Sequence, residues 1–546
     1  MLEGFTPYNQ EDAEKYERLR WWLGMTWGDV FDKATDLYPG KIGLVDDTGR
    51  WTYRELRDRV DRLALGLMKL GVRKGDCVLL QIPNWHEYIL SFFALQKVGA
   101  TAVLLLPRHN QREINHFANL TNAKAWILPT RYGRIDYEPI VESVLPQSPH
   151  VRLLVTVRGE WAGKSQSLER LIDESELNEE NLRALRERRP DPDDVAQIMP
   201  TGGTTGMPKA APRTHNSYMN NVEYHARAWE ITSDDTLLVV TPVSHGMGMH
   251  WGIGAAFFDF ARLVLLDSTD PEVICETIQR EKVTAIPAVP AIVTRIVNLE
   301  NLARYDLSSL KKISVGGAAS TPDVVRAVWN KIGCKYCNGL GSVEGTCSAT
   351  RTEDDIETIC HSVGRQICPY DTLKIADPDG NELPQGMEGE LVSKGPGVFT
   401  GYLRSDNESI FTKDGYFRIG DLARKDERGY IYITGRIKDI INRGGEKISA
   451  AEIENMISEH EAVESAAVIG MPDKLLGERI CAYVKRAKGK AVTLEEIIAF
   501  LKSKGASVLQ LPERIEFVDS LPLTNVGKLD KKALREDIRK RIGWKE

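Results

Sequence analysis

Leu56, Val60, Leu63 and Leu67 fall on one face at helical spacing, and the four residues before them, Thr52-Tyr53-Arg54-Glu55, form a capping-box pattern. Gly71 ends the run, so a helix is predicted between them. A strand is predicted over 77–81, a second helix over 85–98, and another strand-length apolar run over 101–106. Strands and helices that alternate in this way build a parallel sheet with helices against it, and the same rhythm returns beyond residue 230. Residues 421–425 and 430–434 read as strands joined by the turn Asp426-Glu427-Arg428-Gly429. After them the texture changes. Ser449-Ala450-Ala451-Glu452 is a second capping-box pattern, opening a helix with Ile453, Met456 and Ile457 inward; residues 465–469 and 480–484 are strand-like, and Thr493-Leu494-Glu495-Glu496 caps another helix. The expected fold class is α/β, with a large N-terminal domain of α/β layers over residues 1–437 and a small α+β domain over residues 438–546.

A chain of 546 residues exceeds what one hydrophobic core supports, so several domains and an enclosed site suit its length. Its net charge of −7 gives no global basic field. That argues against nucleic acid or an anionic membrane as partner and requires any anion to be held locally. The opening residues are acidic and polar where a signal peptide would be basic and then apolar, and no apolar run approaches the ~20 residues that span a bilayer. A cytoplasmic protein is the expectation. Among eight cysteines only Cys334 and Cys337 form a Cys-x-x-Cys pair. With no second pair and no spaced histidines, they read as thiols flanking a buried strand rather than as a metal or redox site. The basic stretch 531–541 reads as a solvated helix face.

Candidate chemistry concentrates in glycine-rich segments. Thr201-Gly202-Gly203-Thr204-Thr205-Gly206-Met207-Pro208-Lys209 follows the apolar stretch 195–199 and combines glycines, which let backbone N–H groups curl around phosphate oxygens, with hydroxyls and an ammonium. It suits a triphosphate. It is not a Walker-type loop, because Met207 and Pro208 separate Gly206 from Lys209 and no Ser or Thr follows the lysine. A second segment runs Gly435-Arg436-Ile437-Lys438-Asp439-Ile440-Ile441-Asn442-Arg443-Gly444-Gly445-Glu446-Lys447, and a lone Gly527-Lys528 lies near the C-terminus. In this order the segments resemble the adenylate-forming superfamily of acyl-CoA synthetases, aryl acid-AMP ligases and luciferases. The resemblance covers essentially the whole chain and implies activation of a carboxylate with ATP and Mg²⁺, the small domain acting as a mobile lid.

Individual roles follow from that resemblance. Thr201, Gly202, Gly203, Thr204, Thr205, Gly206 and Lys209 would hold the phosphates. Gly316-Gly317-Ala318-Ala319 corresponds to a loop at the adenine edge and acyl pocket, and Asn338-Gly339-Leu340-Gly341-Ser342-Val343-Glu344 to the adenine and Mg²⁺ motif, with Glu344 as the metal's oxygen ligand. Leu340 stands where the superfamily commonly has an aromatic to stack on adenine, and Val343 replaces a common threonine that would meet the α-phosphate. Asp421 would accept hydrogen bonds from the ribose hydroxyls, with Arg436 on the ribose and phosphate side. Lys528 corresponds to the catalytic lysine, bridging the substrate carboxylate and the α-phosphate during in-line attack. Lys438 corresponds to the hinge between half-reactions, and Gly444, Gly445 and Glu446 to the wall of a thiol tunnel.

In Val243-Ser244-His245-Gly246-Met247-Gly248-Met249-His250-Trp251, the resemblance makes His245 a catalytic-site and acyl-pocket residue beside Gly246, Met247, Trp251, Gly316 and Gly341. The pattern is most similar to stand-alone dihydroxybenzoate-AMP ligases. Those follow the pocket histidine with Asn and place Ser five residues further on, both reading ring hydroxyls, where this chain has Gly246 and Trp251. A pocket lacking such partners gives little reward for burying hydroxyls. The expectation is a small benzoate-like or alicyclic carboxylate, converted to acyl-AMP and then to a thioester with CoA. Delivery to a carrier-protein phosphopantetheine is an alternative, as is luciferase-like oxidative use of the adenylate. The joint presence of Lys528, Glu344, Asp421 and Arg436 argues against a nucleotide sensor without turnover. A monomer or homodimer acting on small molecules is expected.

Overall fold

The computed structural model describes residues 2–201, 207–524 and 529–544. The chain divides into two compact units, one comprising Met1–Thr372 and Lys394–Phe411, the other Leu373–Ser393 and Thr412–Glu546. Lys438 falls within the second unit, between its two sheets.

Two large sheets organise the described residues of the first unit. The nine-stranded sheet has the central order Lys335–Gly341, Lys312–Val315, Ala285–Ala288, Thr236–Val239, Arg262–Leu265, Ile42–Val45, all parallel. The seven-stranded sheet runs Ala210–Thr214, Val195–Pro200, Thr101–Leu104, Cys77–Leu80, Ala125–Pro129, Leu153–Val157, Gln166–Ser167, parallel except for the hairpin formed by its first two strands. The inner strands are apolar on both faces because helices cover both faces, the usual reason that parallel strands lack polar alternation. Trp27, Phe31, Phe92, Phe93 and Phe257 pack between Val78 and Leu80 of one sheet and Leu237 and Val239 of the other. Ile274, Ile278 and Val293 cover the far side of the nine-stranded sheet, and Ile114 and Phe117 that of the seven-stranded one. The result is five layers of alternating helix and sheet.

The second unit contains a four-stranded sheet, Thr372–Ala376, Gly389–Lys394, Phe417–Lys425 and Ile431–Arg436, and a five-stranded one built on the long hairpin Val463–Asp473 with Gly477–Arg486. Ile453, Ile457, Ile497 and Leu501 cover one face of the latter; Leu534 and Ile538, from the basic helix Lys531–Arg541, cover the other. That helix therefore buries one stripe, while Arg535 and Lys531 reach Asp439 at 2.7 and 3.9 Å. The chain is a mixed α/β protein with a large N-terminal and a small C-terminal domain.

Local signals act as their chemistry requires. Thr52 and Glu55 exchange both bonds of the capping box at the start of Tyr53–Lys69, Gly71 takes φ +93° past its end, and Thr493 with Glu496 repeats the box. At Ser449 the side chain accepts from the Glu452 N–H and caps Ala450–Ser458. Cys334 and Cys337 lie buried at the strand Lys335–Gly341, where burial pushes both thiols up to about 12. No helix among the described residues is long and apolar enough to cross a membrane.

Candidate functional site

The hairpin Val195–Pro200 and Ala210–Thr214 opens into the segment 201–209, closed at its base by the Thr201 N–H donating to the Lys209 carbonyl at 2.9 Å. Gly202, Gly203, Thr204, Thr205 and Gly206 lie outside the described residues. Lys209 is exposed, its ammonium 4.6 Å from the centre of the Tyr402 ring, a cation–π distance. The hydroxyl of the same ring donates to Glu344 Oε1 at 2.6 Å, while the Glu344 carbonyl accepts the Phe399 N–H at 2.7 Å. Lys209 and Glu344, 135 positions apart by their numbers, thus meet on one aromatic side chain.

Glu344 lies on a loop that is held from beneath. Arg213, 2 % exposed, donates to the carbonyls of Val343 at 2.9 Å and Gly397 at 2.6 Å and to Asn221 Oδ1 at 2.7 Å. Gly345 takes φ +104°, and a Cβ there would stand 2.0 Å from the Gly397 carbonyl oxygen, so only glycine permits this approach. Asp371 lies buried in the same region. One of its oxygens accepts the Gly397 N–H, the other has no partner among the described residues, and burial raises the carboxyl to about 7 against the pull of that N–H and of Arg213. Glu344 has one oxygen fixed by Tyr402, and among the described residues the other accepts no hydrogen bond. A half-buried carboxylate with one hard oxygen to give fits Mg²⁺, which takes one or two protein carboxylates and completes its shell with water and phosphate.

Trp251 is delivered by a π-helical stretch, Met247–Gly254, whose glycines explain its tight seat: a Cβ on Gly252 would stand 2.3 Å from Val239, and one on Gly248 2.4 Å from the Pro242 carbonyl oxygen. The indole covers three glycines. Cβ atoms on Gly316, Gly339 and Gly341 would stand 2.8, 2.9 and 3.3 Å from it. His225 stacks on the indole, 4.4 Å between centroids and 27° between planes, and His250 lies 5.2 Å from His225. Burial holds both histidines neutral, His225 well below its ordinary value and His250 at about 4. His245 is half-buried and its Nδ1 accepts a long bond from the Met247 N–H at 3.4 Å. A Cβ on Gly246 would meet nothing within 4 Å, so side-chain space is open there.

The other expected positions divide. Gly317 takes φ +87° in the turn after Lys312–Val315, leaving Ala318 and Ala319 exposed. Leu340 is half-buried in its strand, whereas the Asn338 amide is used inside the fold, donating to the Ser362 carbonyl at 2.9 Å. In the second unit Asp421 is 4 % exposed and pairs with Arg436 Nε at 2.9 Å from the facing strand. Burial and then Arg436 lower the Lys438 ammonium, against the pull of Asp439 and Asp421. Gly444 and Gly445 form the tip of the hairpin Ile440–Arg443 with Glu446–Ser449, at φ +63° and +96°. Two consecutive positive φ values are what a two-residue hairpin turn demands, so the turn alone accounts for this glycine pair. Glu446 is exposed beside them. Lys528 lies outside the described residues. Tyr402, Arg213 and His225 were not anticipated from the sequence, where each is a single residue whose partners are far away along the chain.

Residues 31–403 match the family model described as AMP-binding enzyme, and residues 452–528 that of the AMP-binding enzyme C-terminal domain. A 2,3-dihydroxybenzoate-AMP ligase of Bacillus subtilis is 35% identical over 547 residues, covering 99% of this chain and 99% of its own. A salicylyl-CoA synthase / salicylate adenylyltransferase of a Streptomyces species is 34% identical, with 98% of each covered. Among solved structures, apo MbtA of Mycobacterium smegmatis superposes with a TM-score of 0.73 at 33% identity, 98% of each chain being covered.

Proposed function

The chain belongs to the AMP-binding enzymes of the adenylate-forming superfamily, and we propose that it activates a small cyclic carboxylic acid without ring hydroxyls and passes the acyl group to CoA. In the first half-reaction the acid's carboxylate attacks the α-phosphate of ATP, giving acyl-AMP and pyrophosphate. In the second, a thiol displaces AMP. Lys209 and the glycine-rich segment 201–206 hold the phosphates, Asp421 binds the ribose hydroxyls, and Lys528 carries the charge that develops between carboxylate and α-phosphate. Glu344 would hold Mg²⁺, which offsets charge on the phosphate oxygens when bound.

The observation that carries the choice of acid is the seat of Trp251. Its indole fills the space over Gly316, Gly339 and Gly341, where the dihydroxybenzoate-ligase pattern has a short polar side chain, and Gly246 offers no side chain at all. Benzoate or cyclohexane-type carboxylates are therefore expected to exceed 2,3-dihydroxybenzoate in kcat/KM by at least ~10-fold, the scale of one or two buried hydroxyls left unpaired. A pyrophosphate-release screen over small carboxylates reads this directly. Gly246→Asn with Trp251→Ser should narrow the gap, the asparagine entering open space and the serine leaving a cavity that costs about 3–5 kcal/mol of stability. A parent preference for dihydroxybenzoate, or for long unbranched fatty acids, overturns this assignment. Comparing free CoA with a phosphopantetheinylated carrier protein as acceptor tests the second half-reaction.

Lys438 sits in the short turn Ile437–Asp439 that links the two sheets of the second unit, which supports a role as pivot between half-reactions. Proline there fixes φ. Lys438→Pro is expected to leave acid-dependent pyrophosphate release near the parent rate while slowing thioester formation by at least ~10-fold, as changes at hinges do when a conformational step becomes limiting. Turnover to acyl-CoA at the parent rate would remove the pivot from the mechanism.

A further inference from the structure

Tyr402 occupies a position that the proposed chemistry has so far left without a role. Its backbone is clamped: the N–H donates to Asn407 Oδ1 at 2.9 Å and the carbonyl accepts from Asn407 Nδ2 at 3.0 Å. The preceding Gly401 takes φ +141°, and a Cβ on it would stand 2.5 Å from that amide. Phe399 packs edge-on against the ring with centroids 5.0 Å apart, and Tyr402 as a whole is 9 % exposed. A side chain fixed this firmly holds its hydroxyl at one point, and that point is 2.6 Å from Glu344 Oε1. The same ring carries the Lys209 ammonium on its face at 4.6 Å.

We propose that Tyr402 is a positioning residue for the metal–triphosphate site: its hydroxyl fixes Glu344 so that one oxygen faces a divalent cation, and its ring face steadies the Lys209 ammonium. This rests on the reading of Glu344 as the Mg²⁺ ligand. The two functions are chemically separable, because phenylalanine keeps the ring and loses only the hydroxyl, while leucine loses both. Mg²⁺ binds carboxylates in near-ideal octahedral geometry, so a glutamate free to rotate is a poorer ligand than one already anchored through its second oxygen.

The test counts bound Mn²⁺, a paramagnetic substitute for Mg²⁺, by electron paramagnetic resonance in the presence of ATP. Tyr402→Phe is expected to weaken the metal–ATP complex about 10-fold, the usual cost of removing a partner that orients a ligand, while metal-free ATP binding stays as in the parent. Pyrophosphate release should return to the parent kcat at high Mg²⁺, with KM for the acid unchanged. Tyr402→Leu should weaken metal-free ATP binding as well, because the cation–π seat of Lys209 is gone. Tyr402→Phe added to Glu344→Gln should cost nothing further, since the hydroxyl acts only through that carboxylate. An unaltered metal titration in Tyr402→Phe, or a full additional loss in the double variant, overturns the proposal. If Glu344→Gln itself binds Mn²⁺ like the parent, the assignment of Glu344 fails instead; if Glu344→Gln loses the metal and Tyr402→Phe does not, only the role of Tyr402 falls.

Discussion

Lys528→Ala is expected to abolish acid-dependent pyrophosphate release while acylation of CoA from supplied acyl-AMP largely survives. The asymmetry follows from where charge develops. As the carboxylate attacks the α-phosphate, negative charge builds on the phosphoryl oxygens, and an ammonium aimed at them stabilises the transition state more than the ground state. Removing one such donor costs roughly 10²–10³-fold in rate where its loss has been measured in other enzymes. Thiol attack on a preformed acyl-AMP expels AMP from a carbonyl carbon and makes no comparable demand on the same ammonium. Measuring both half-reactions on one preparation checks this, and equal loss of the two would show that Lys528 serves binding or folding rather than adenylation.

What was legible in the sequence was what is decided by near neighbours. Thr52 with Glu55 and Thr493 with Glu496 each close a box of two hydrogen bonds three residues apart, so pattern and structure are nearly the same statement. The apolar runs at 77–80 and 101–104 became parallel strands because only burial on both faces accommodates them. Distant partners were not legible. Tyr402 meets Glu344 across 58 positions, and Arg213 meets Val343 across 130 and Gly397 across 184. No periodicity encodes such contacts. The same holds for the unit that takes in 373–393, gives up 394–411 and resumes at 412, a path that local texture does not mark. Trp251 was recognised as a departure at its position, but its placement over three glycines depended on strands contributed from residues 312–315 and 335–341.

Replacing Arg213 is expected to cost a large part of the first unit's stability. It is a fully enclosed cation with no carboxylate within ion-pair distance among the described residues; its guanidinium is satisfied by the carbonyls of Ser217, Val343 and Gly397, by Asn221 Oδ1 and, at 3.4 Å, by Ser217 Oγ. Exchanging a buried ion pair for apolar residues is often neutral because both charges leave together. Here only the donor would leave. Arg213→Met keeps the length of the side chain but strands the carbonyls of Val343 and Gly397 and the Asn221 oxygen, each costing about 1–3 kcal/mol when left unsatisfied. The expected loss is therefore at least ~3 kcal/mol, in line with breaking other buried charged networks. Unfolding of a chain with two compact units need not be two-state, so the loss is best followed by denaturant titration with a probe inside the first unit, such as the fluorescence of its buried tryptophans. Because the stranded carbonyls flank Glu344, metal–ATP binding should weaken before the unit unfolds. A destabilisation under ~1 kcal/mol would mean that water or a shifted donor replaces the guanidinium, and that the loop bearing Glu344 does not depend on it.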